Sequence, residues 1–481
     1  METPGAEKTE IAKVVEAKQE KFWRISDAIW SYAELGLEEY KSSKLLADTL
    51  EGAGFKVDRG VAGMPTAIVA SWSHGTGKPV IGFLAEYDAL PMLSQKAGSV
   101  THDPVVPGAP GHGCGHNTMG TMQALTVIAM KEFLQKKGIN CTLKYFGSPA
   151  EETLVSRPYM VRAGLFKGLD AVIDNHAGGD FSTSYGVSGN AMYSFVVSYF
   201  GRTAHAGGNP WMGRAATDAV ELMHAGTERM REHVPPTARL HWITTEGGEA
   251  PNVVPDRAST WYFVRDTDKN VEADFKWVMD CAAAAALMTQ TTHKVKVLTA
   301  IHQRYSNKAL AELLFENMKA VGKPEYTKQE VDWAKALQKS YGLPEIGLDY
   351  PIKLEKPETT EFKGGSSDVG EVTLLAPCAT IRYPTRAAGE FPGHHWTVTT
   401  AGISSIAHKG ITAGAKVAAL TTYDLLTKPE VLAKIQKEFA ASSKKNPYQS
   451  YLPADAKPPL GWNAALMAKY RGEMEKFYIN P

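Results

Sequence analysis

PVIGFLAEYDAL at 79–90 and CTLKYFGSPAEE at 141–152 share one plan: a short apolar, β-rich run that ends in carboxylates. The first places Glu86 and Asp88 just past a strand expected at 79–84, and the second places Glu151 and Glu152 just past one at 141–146. Between them, 118–137 has helical periodicity; Asn117 precedes it as a good N-cap and Gly138 ends it. A helix near 156–163 and a strand at 171–174 continue the alternation. Strands that alternate with helices predict an α/β domain with a largely parallel sheet.

Outward from this centre, helical periodicity covers 7–34 and 42–54, with Gly54 as C-cap, and 67–72 reads as a strand. The pattern changes near Gly189: a strand at 192–200, a helix at 214–230, a strand at 259–265, a helix at 271–288 and a strand at 294–298. That is the size of a small α+β domain. A helix at 308–321, a polar Pro- and Gly-bearing stretch at 322–365, a strand at 379–383 and a long helix at 402–426 follow. The tail 442–481, rich in Lys, Pro and Asn, is expected to wrap the surface. The expected organisation is a catalytic domain in two parts, 1–188 and 304–481, with 189–303 inserted.

The 481 residues carry 52 Lys plus Arg against 52 Asp plus Glu, which argues against a polyanion binder acting by bulk charge, so no nucleic-acid partner is expected. Apolar content of 43% and charged content of 22% exclude wholesale disorder. The four cysteines are far apart and in no paired spacing, which suits a reducing cytoplasm better than a disulfide framework. The first residues lack the apolar core of a signal peptide, and the longest apolar run, near Cys281, is far short of the ~20 residues of a membrane span.

Metal-type side chains follow the expected strands. Besides the acids already named, the loop before the 118 helix holds His112-Gly113-Cys114-Gly115-His116, the 171–174 strand leads to Asn175-His176, and the 379–383 strand leads to Gly393-His394-His395-Trp396. Taken singly, each has an ordinary explanation: a tight turn, a solvated helix start, a packing or surface histidine. Together they fall where one α/β sheet gathers loops into a single cleft. Thiolate, imidazole and carboxylate suit Zn²⁺, Mn²⁺ or Co²⁺ rather than Ca²⁺ or Mg²⁺. Five candidate ligands exceed the three of an ordinary catalytic zinc and fit a two-metal site better. Two adjacent glutamates can divide the labour, one ligating and one acting as base.

These motifs resemble the M20 metallopeptidase/amidohydrolase family over almost the whole chain. The residues that carry the resemblance are Glu86-Tyr87-Asp88-Ala89-Leu90, Gly113-Cys114-Gly115-His116-Asn117, Glu151-Glu152, His176, Gly201-Arg202-Thr203-Ala204-His205, Asn252-Val253-Val254-Pro255 and Ser405-Ile406-Ala407-His408-Lys409-Gly410. The Cys-Gly-His form is similar to the amidohydrolase branch, subfamily D, which cleaves amides of N-acyl or N-aroyl amino acids, p-aminobenzoyl-glutamate among them.

The resemblance implies a mixed-sheet α/β catalytic domain with an inserted α+β sandwich that serves as lid and dimerisation domain. It implies two divalent ions (Zn or Mn, with Co as a further choice) on Cys114, His116, Glu152, His176 and His394, with Glu151 as general base and acid. His394 is preferred to His395 because the family's histidine stands two residues before the aromatic, here Trp396. His205 would support the oxyanion, reaching across a dimer, and Asp88 would orient a ligand. Asn252 and Arg265 would face substrate, although Arg265 suits a strand ion pair equally. A homodimer is expected, or a heteromer with a related subunit. His395 and Ala150 depart from the family pattern. Two other readings stay open: a hydrolytic deaminase or amidase of a small aromatic amine or amide on the same site, and a non-catalytic partner subunit. Trp211, Tyr159 and Trp396 are candidate pocket aromatics.

Overall fold

The computed structural model describes residues 5–356 and 365–481. The first four residues of the chain, and 357–364 of the polar stretch, lie outside the described residues.

An eight-stranded mixed sheet organises the larger part of the chain. Its four central strands, Cys141–Gly147, Val80–Ala85, Ala171–Gly178 and Cys378–Pro384, lie side by side and parallel. Their carboxyl ends therefore share one edge. Ile68–His74 and Lys56–Arg59 extend one side in antiparallel fashion; Phe181–Ser184 and Ile352–Glu355 extend the other. The expected parallel sheet is thus parallel where the loops matter and mixed at its flanks.

Both faces of the central strands are covered, as parallel sheets require. Ile81, Phe83 and Ala85 join a core with Met122, Leu125, Ala415 and Tyr383. The intervening Val80 and Leu84 join Phe146, Val172 and Cys378 on the other face. That is the two-residue alternation of a strand, with apolar residues in both phases. Two long helices, His116–Lys137 and Ser405–Thr427, cover the first face. A Cβ at Gly410 would lie 1.9 Å from the Pro384 carbonyl oxygen, so only glycine lets the second helix approach the strand end.

A second, antiparallel sheet runs in the order Thr292–Ile301, Ala191–Phe200, Arg257–Asp266, Arg239–Glu246. Helices Ala216–Met230 and Val271–Thr289 pack on it around Phe195, Tyr199, Met223 and Tyr262. The edge strand Arg239–Glu246 escapes the sequence reading because most of it faces solvent and carries no alternation.

Three local expectations need correction. The helical stretch at 7–34 is two helices, Ala6–Glu16 and Gln19–Tyr32; a tight turn, Lys18 N donating to Val15 O, re-aims the apolar stripe onto Phe22, Ile25 and Ile29. The polar stretch at 322–365 contains a helix, Lys328–Ser340, opened by a capping box between Thr327 and Glu330. Its composition disguised it, yet it buries Ala334 and Leu337. The C-terminal tail does more than wrap: it bridges the smaller sheet to the rest of the chain, with Tyr448 donating to Glu371 and Asn463 to the Gly36 carbonyl on the larger side. Tyr451 stacks on His302 with ring centroids 4.0 Å apart and also meets Tyr193. Trp462 meets Trp261 of the smaller sheet at 5.0 Å. Among the described residues no helix is long and apolar enough to cross a membrane.

Candidate active site

The loop before the long helix turns at Gly115, whose φ of 87° is costly for any residue with a Cβ. The helix therefore starts at His116, two residues earlier than expected, and Asn117 is not its cap. Asn117 is buried, and its amide donates to Ser26 Oγ and the Gly402 carbonyl at 3.1 and 2.9 Å. Tertiary partners claimed a side chain that local reasoning assigned to capping.

His116 is fully buried, and its Nδ1 donates to Asp88 Oδ1 at 2.9 Å. The other oxygen of Asp88 accepts the Glu152 backbone N–H at 2.9 Å, so one carboxylate ties the helix start to the glutamate loop. Nε2 of His116 is thereby aimed at Glu86 Oε2 (3.4 Å), Glu152 Oε1 (3.8 Å) and Glu151 Oε2 (3.9 Å). His176 lies on strand Ala171–Gly178 rather than after it. Its Nδ1 donates to the Ala177 carbonyl at 2.8 Å, which turns Nε2 to within 3.5 Å of Cys114 Sγ. His394, at φ 53°, places Nε2 3.2 Å from Glu152 Oε2. Ala150 sits at φ 54°, a left-handed turn that starts the Glu151–Thr153 turn of helix.

The donor atoms form three overlapping groups, each within 4.8 Å: Cys114 with His116 and His176, Cys114 with Glu152 and His394, and Glu86 with His116 and Glu151. Two facing atoms, His116 Nε2 and Glu152 Oε1, are buried with no hydrogen-bond partner among the described residues. Burial pushes Glu152 up to about 8 and the Cys114 thiol up to about 11, and pushes Glu151 well above the carboxylate range, with Glu86 adding to it. Donors this costly to ionise suit a site that receives cations, since a divalent ion reverses that preference. The chemistry of the donor set fits a metal centre.

Sequence reasoning missed the buried ion network beneath this cluster. Arg157, fully buried, holds Glu86 Oε1 at 2.7 Å and pairs with Asp368, which also accepts the Arg157 backbone N–H at 3.0 Å. Asp368 lies 211 residues from Arg157, so no local pattern announces the pair; the short run Ser367-Asp368-Val369-Gly370, just past the polar stretch, was the available signal.

The groups open into a cleft of about 470 Å³, lined by Cys114, Glu151, Glu152, His176, His394 and Arg265 among others. Arg265 has no carboxylate partner among the described residues, so the strand ion pair does not form there. His205 and Asn252 are not brought to the cleft of their own chain. His205 is exposed, and its Nδ1 accepts from the Gly207 and Gly208 N–H groups at 3.1 and 3.0 Å; Asn252 lies beside it, its carbonyl accepting from Ala206 N. His395 turns away, with Nδ1 against Thr397 and its ring against Tyr341. Trp211, Tyr159 and Trp396 do not line the cleft. Tyr159 is buried, donating to Leu298 O, and Trp211 is 73% exposed.

The profile of peptidase family M20/M25/M40 matches residues 82–380, more than half of the chain. The chain belongs to this family. It is 35% identical over 477 residues to one of the subunits of the p-aminobenzoyl-glutamate hydrolase of Escherichia coli (strain K12), covering 93% of this chain and 98% of that one. It is 28% identical over 448 residues to the Xaa-Arg dipeptidase of Mus musculus, covering 90% and 92%. Among solved structures, a dinuclear metal-binding M20 peptidase of Bacillus subtilis superposes with a TM-score of 0.54 at 17% identity, covering 86% of this chain and 99% of that one, and so shares the mixed α/β fold. This M20 member is an amidohydrolase.

Proposed function

We propose that the enzyme hydrolyses the amide of an N-acyl or N-aroyl amino acid, with two divalent cations (Zn²⁺ or Mn²⁺, Co²⁺ as a further choice) held by Cys114, His116, Glu152, His176 and His394. The observation that carries this reading is the convergence of these five side chains at the carboxyl edge of the parallel strands, in two triads that share Cys114. The similarity to a p-aminobenzoyl-glutamate hydrolase and to a dinuclear M20 peptidase supports it. Bound there, such ions supply a water of lowered pKa and a polarised carbonyl.

The chain's own groups do the rest. Glu151 takes the proton of the attacking water and hands it to the leaving amine; its carboxylate stands beside the donor cluster, Oε2 3.9 Å from His116 Nε2, where such a water would lie. Asp88 orients His116 and fixes the backbone of Glu152. Arg265 receives the substrate carboxylate. His205 and Asn252 act on the cleft of a second copy, with 189–303 as the lid and dimerisation domain. The exposure of Trp211, Met212 and Val253 around His205 supports an interface there. A heteromer is the alternative, favoured by the Escherichia coli relative being one subunit of a hydrolase that has another. Four free thiols suit the cytoplasm.

The test is turnover of N-aroyl amino acids by chelator-stripped enzyme reloaded with Mn²⁺ or Zn²⁺. Release of the amino acid is expected. Release of ammonia instead points to the deaminase reading, and no metal-dependent release from any member of the series overturns the proposal. Cys114→Ser should lower the bound-metal stoichiometry in elemental analysis.

A further inference from the structure

One wall of the cleft has no role in the mechanism above. Arg304, Arg382 and Arg386 line it on the side of His176 and Cys114, whereas Arg265 approaches from the smaller sheet. Register fixes the wall's position: Arg382 stands beside His176 on the neighbouring parallel strand, and Arg386 lies four residues further on, past the strand end. Arg304 comes from the short strand Arg304–Ser306, opposite Ser188.

Among the described residues no carboxylate pairs directly with Arg304 or Arg386. Among the buried acids of the site, Glu86 and Asp368 sit on Arg157 and Asp88 on His116; Asp174 accepts from Thr380 Oγ1 at 2.6 Å and feels Arg157 and Arg304 through space without an ion pair to Arg304. Arg382 shares Asp180 at 3.3 Å. The side chains of Arg304 and Arg386, both half-buried residues, have no ion pair or hydrogen bond among the described residues. Glu355 and Lys356, both exposed at the rim, offset one another. Ser366 Oγ, of a residue that lines the same cleft, is also buried with no hydrogen-bond partner among the described residues. Partially desolvated guanidinium groups without a directly paired carboxylate are costly unless a ligand supplies one, and their fork geometry matches a carboxylate.

We propose that Arg304, Arg382 and Arg386 form an anion subsite, and that the substrate carries a second carboxylate beyond the one that Arg265 receives. The inference rests on the amidohydrolase reading for what the substrate is, and extends it to the charge the substrate bears. The second carboxylate sits either on the side chain of the amino-acid part or on the acyl part.

Non-hydrolysable sulfonamides separate the sources by calorimetry on the metal-loaded enzyme. One arm compares N-benzenesulfonyl-L-glutamate with N-benzenesulfonyl-L-glutamine, and the other compares N-(4-carboxybenzenesulfonyl)glycine with N-benzenesulfonylglycine. At least tenfold tighter binding of the dicarboxylate in one arm is expected, and that arm identifies the source. Arg386→Gln and Arg304→Gln should each cut the ratio fivefold or more, with Arg386→Lys retaining part of it. Dicarboxylates that bind within twofold of their neutral partners in both arms overturn the proposal, whatever the variants do. A tenfold preference that both glutamine variants retain overturns the assignment to this wall. Turnover of N-benzoylglycine, which needs no second anion site, reports separately on the amidohydrolase reading.

Discussion

His116 and His205 are both histidines of glycine-bordered turns, one in GCGHN and the other in TAHAGG, and the molecule treats them in opposite ways. His116 is fully buried, its Nδ1 held by Asp88 and its Nε2 aimed at three glutamates. His205 is exposed and bonded only within its own turn, through the N–H groups of Gly207 and Gly208. The first is pinned by residues from other segments of the chain. The second lies on an exposed surface beside Trp211, Met212 and Val253, the face proposed above to meet a second copy. Motif alone does not separate a prepared ligand from a histidine waiting for its surroundings; the number of non-local groups holding it does.

The largest effect is expected on the pinned side. Glu151→Gln should keep its bound metal yet lose roughly 10³–10⁴-fold in turnover, measured on an N-aroyl amino acid beside elemental analysis; near-normal activity would remove Glu151 from the chemistry. Beneath it, Arg157→Met leaves Glu86 and Asp368 buried without their cation and should cost about 3–5 kcal/mol in denaturant unfolding. A loss under about 1 kcal/mol would mean that the network does not hold the site. On the free side, His205→Ala should leave stability within about 0.5 kcal/mol and lower kcat by on the order of 10²-fold. Mixing that variant with Glu151→Gln should restore activity, because one site of the mixed dimer then has both groups. Failure of the mixture to recover returns His205 to a purely local role.

A third histidine sharpens the comparison with the smallest effect. His302 donates to Glu371 from its backbone N–H (2.9 Å) and from Nδ1 (2.6 Å). Burial lowers its pKa, but Glu371 outweighs that and the net shift is upward. A group raised on folding stabilises fully below its ordinary 6.5 and loses that contribution as pH climbs through the folded value. Wild type should therefore lose on the order of 1 kcal/mol more than His302→Gln as pH rises from 6 into the alkaline range. A pH-independent difference in unfolding free energy between the two would sink this account.

Much of the catalytic sheet was legible because its strands are apolar in both phases and punctuated by acids or glycine, as at 79–90 and 141–152. Boundaries moved by a residue or two where side chains such as Asn117 found tertiary partners. The strand Arg239–Glu246 was not legible because an exposed edge carries no periodic apolar signal. The helix Lys328–Ser340 was legible in its capping box but masked by the polar, Pro- and Gly-bearing stretch around it.

The sequence by itself determined which chemistry is available: thiol, imidazole and paired carboxylates, each placed just beyond an element whose local pattern predicts a strand or helix. That much follows from short-range periodicity and turn chemistry, which act over a few residues. Only the tertiary structure decided which of these groups meet. Arg157 with Asp368, Arg382 beside His176, and Tyr451 on His302 and Trp462 against Trp261 are contacts between distant segments. They arise from burial and sheet register, and neither is written in any single stretch of the chain.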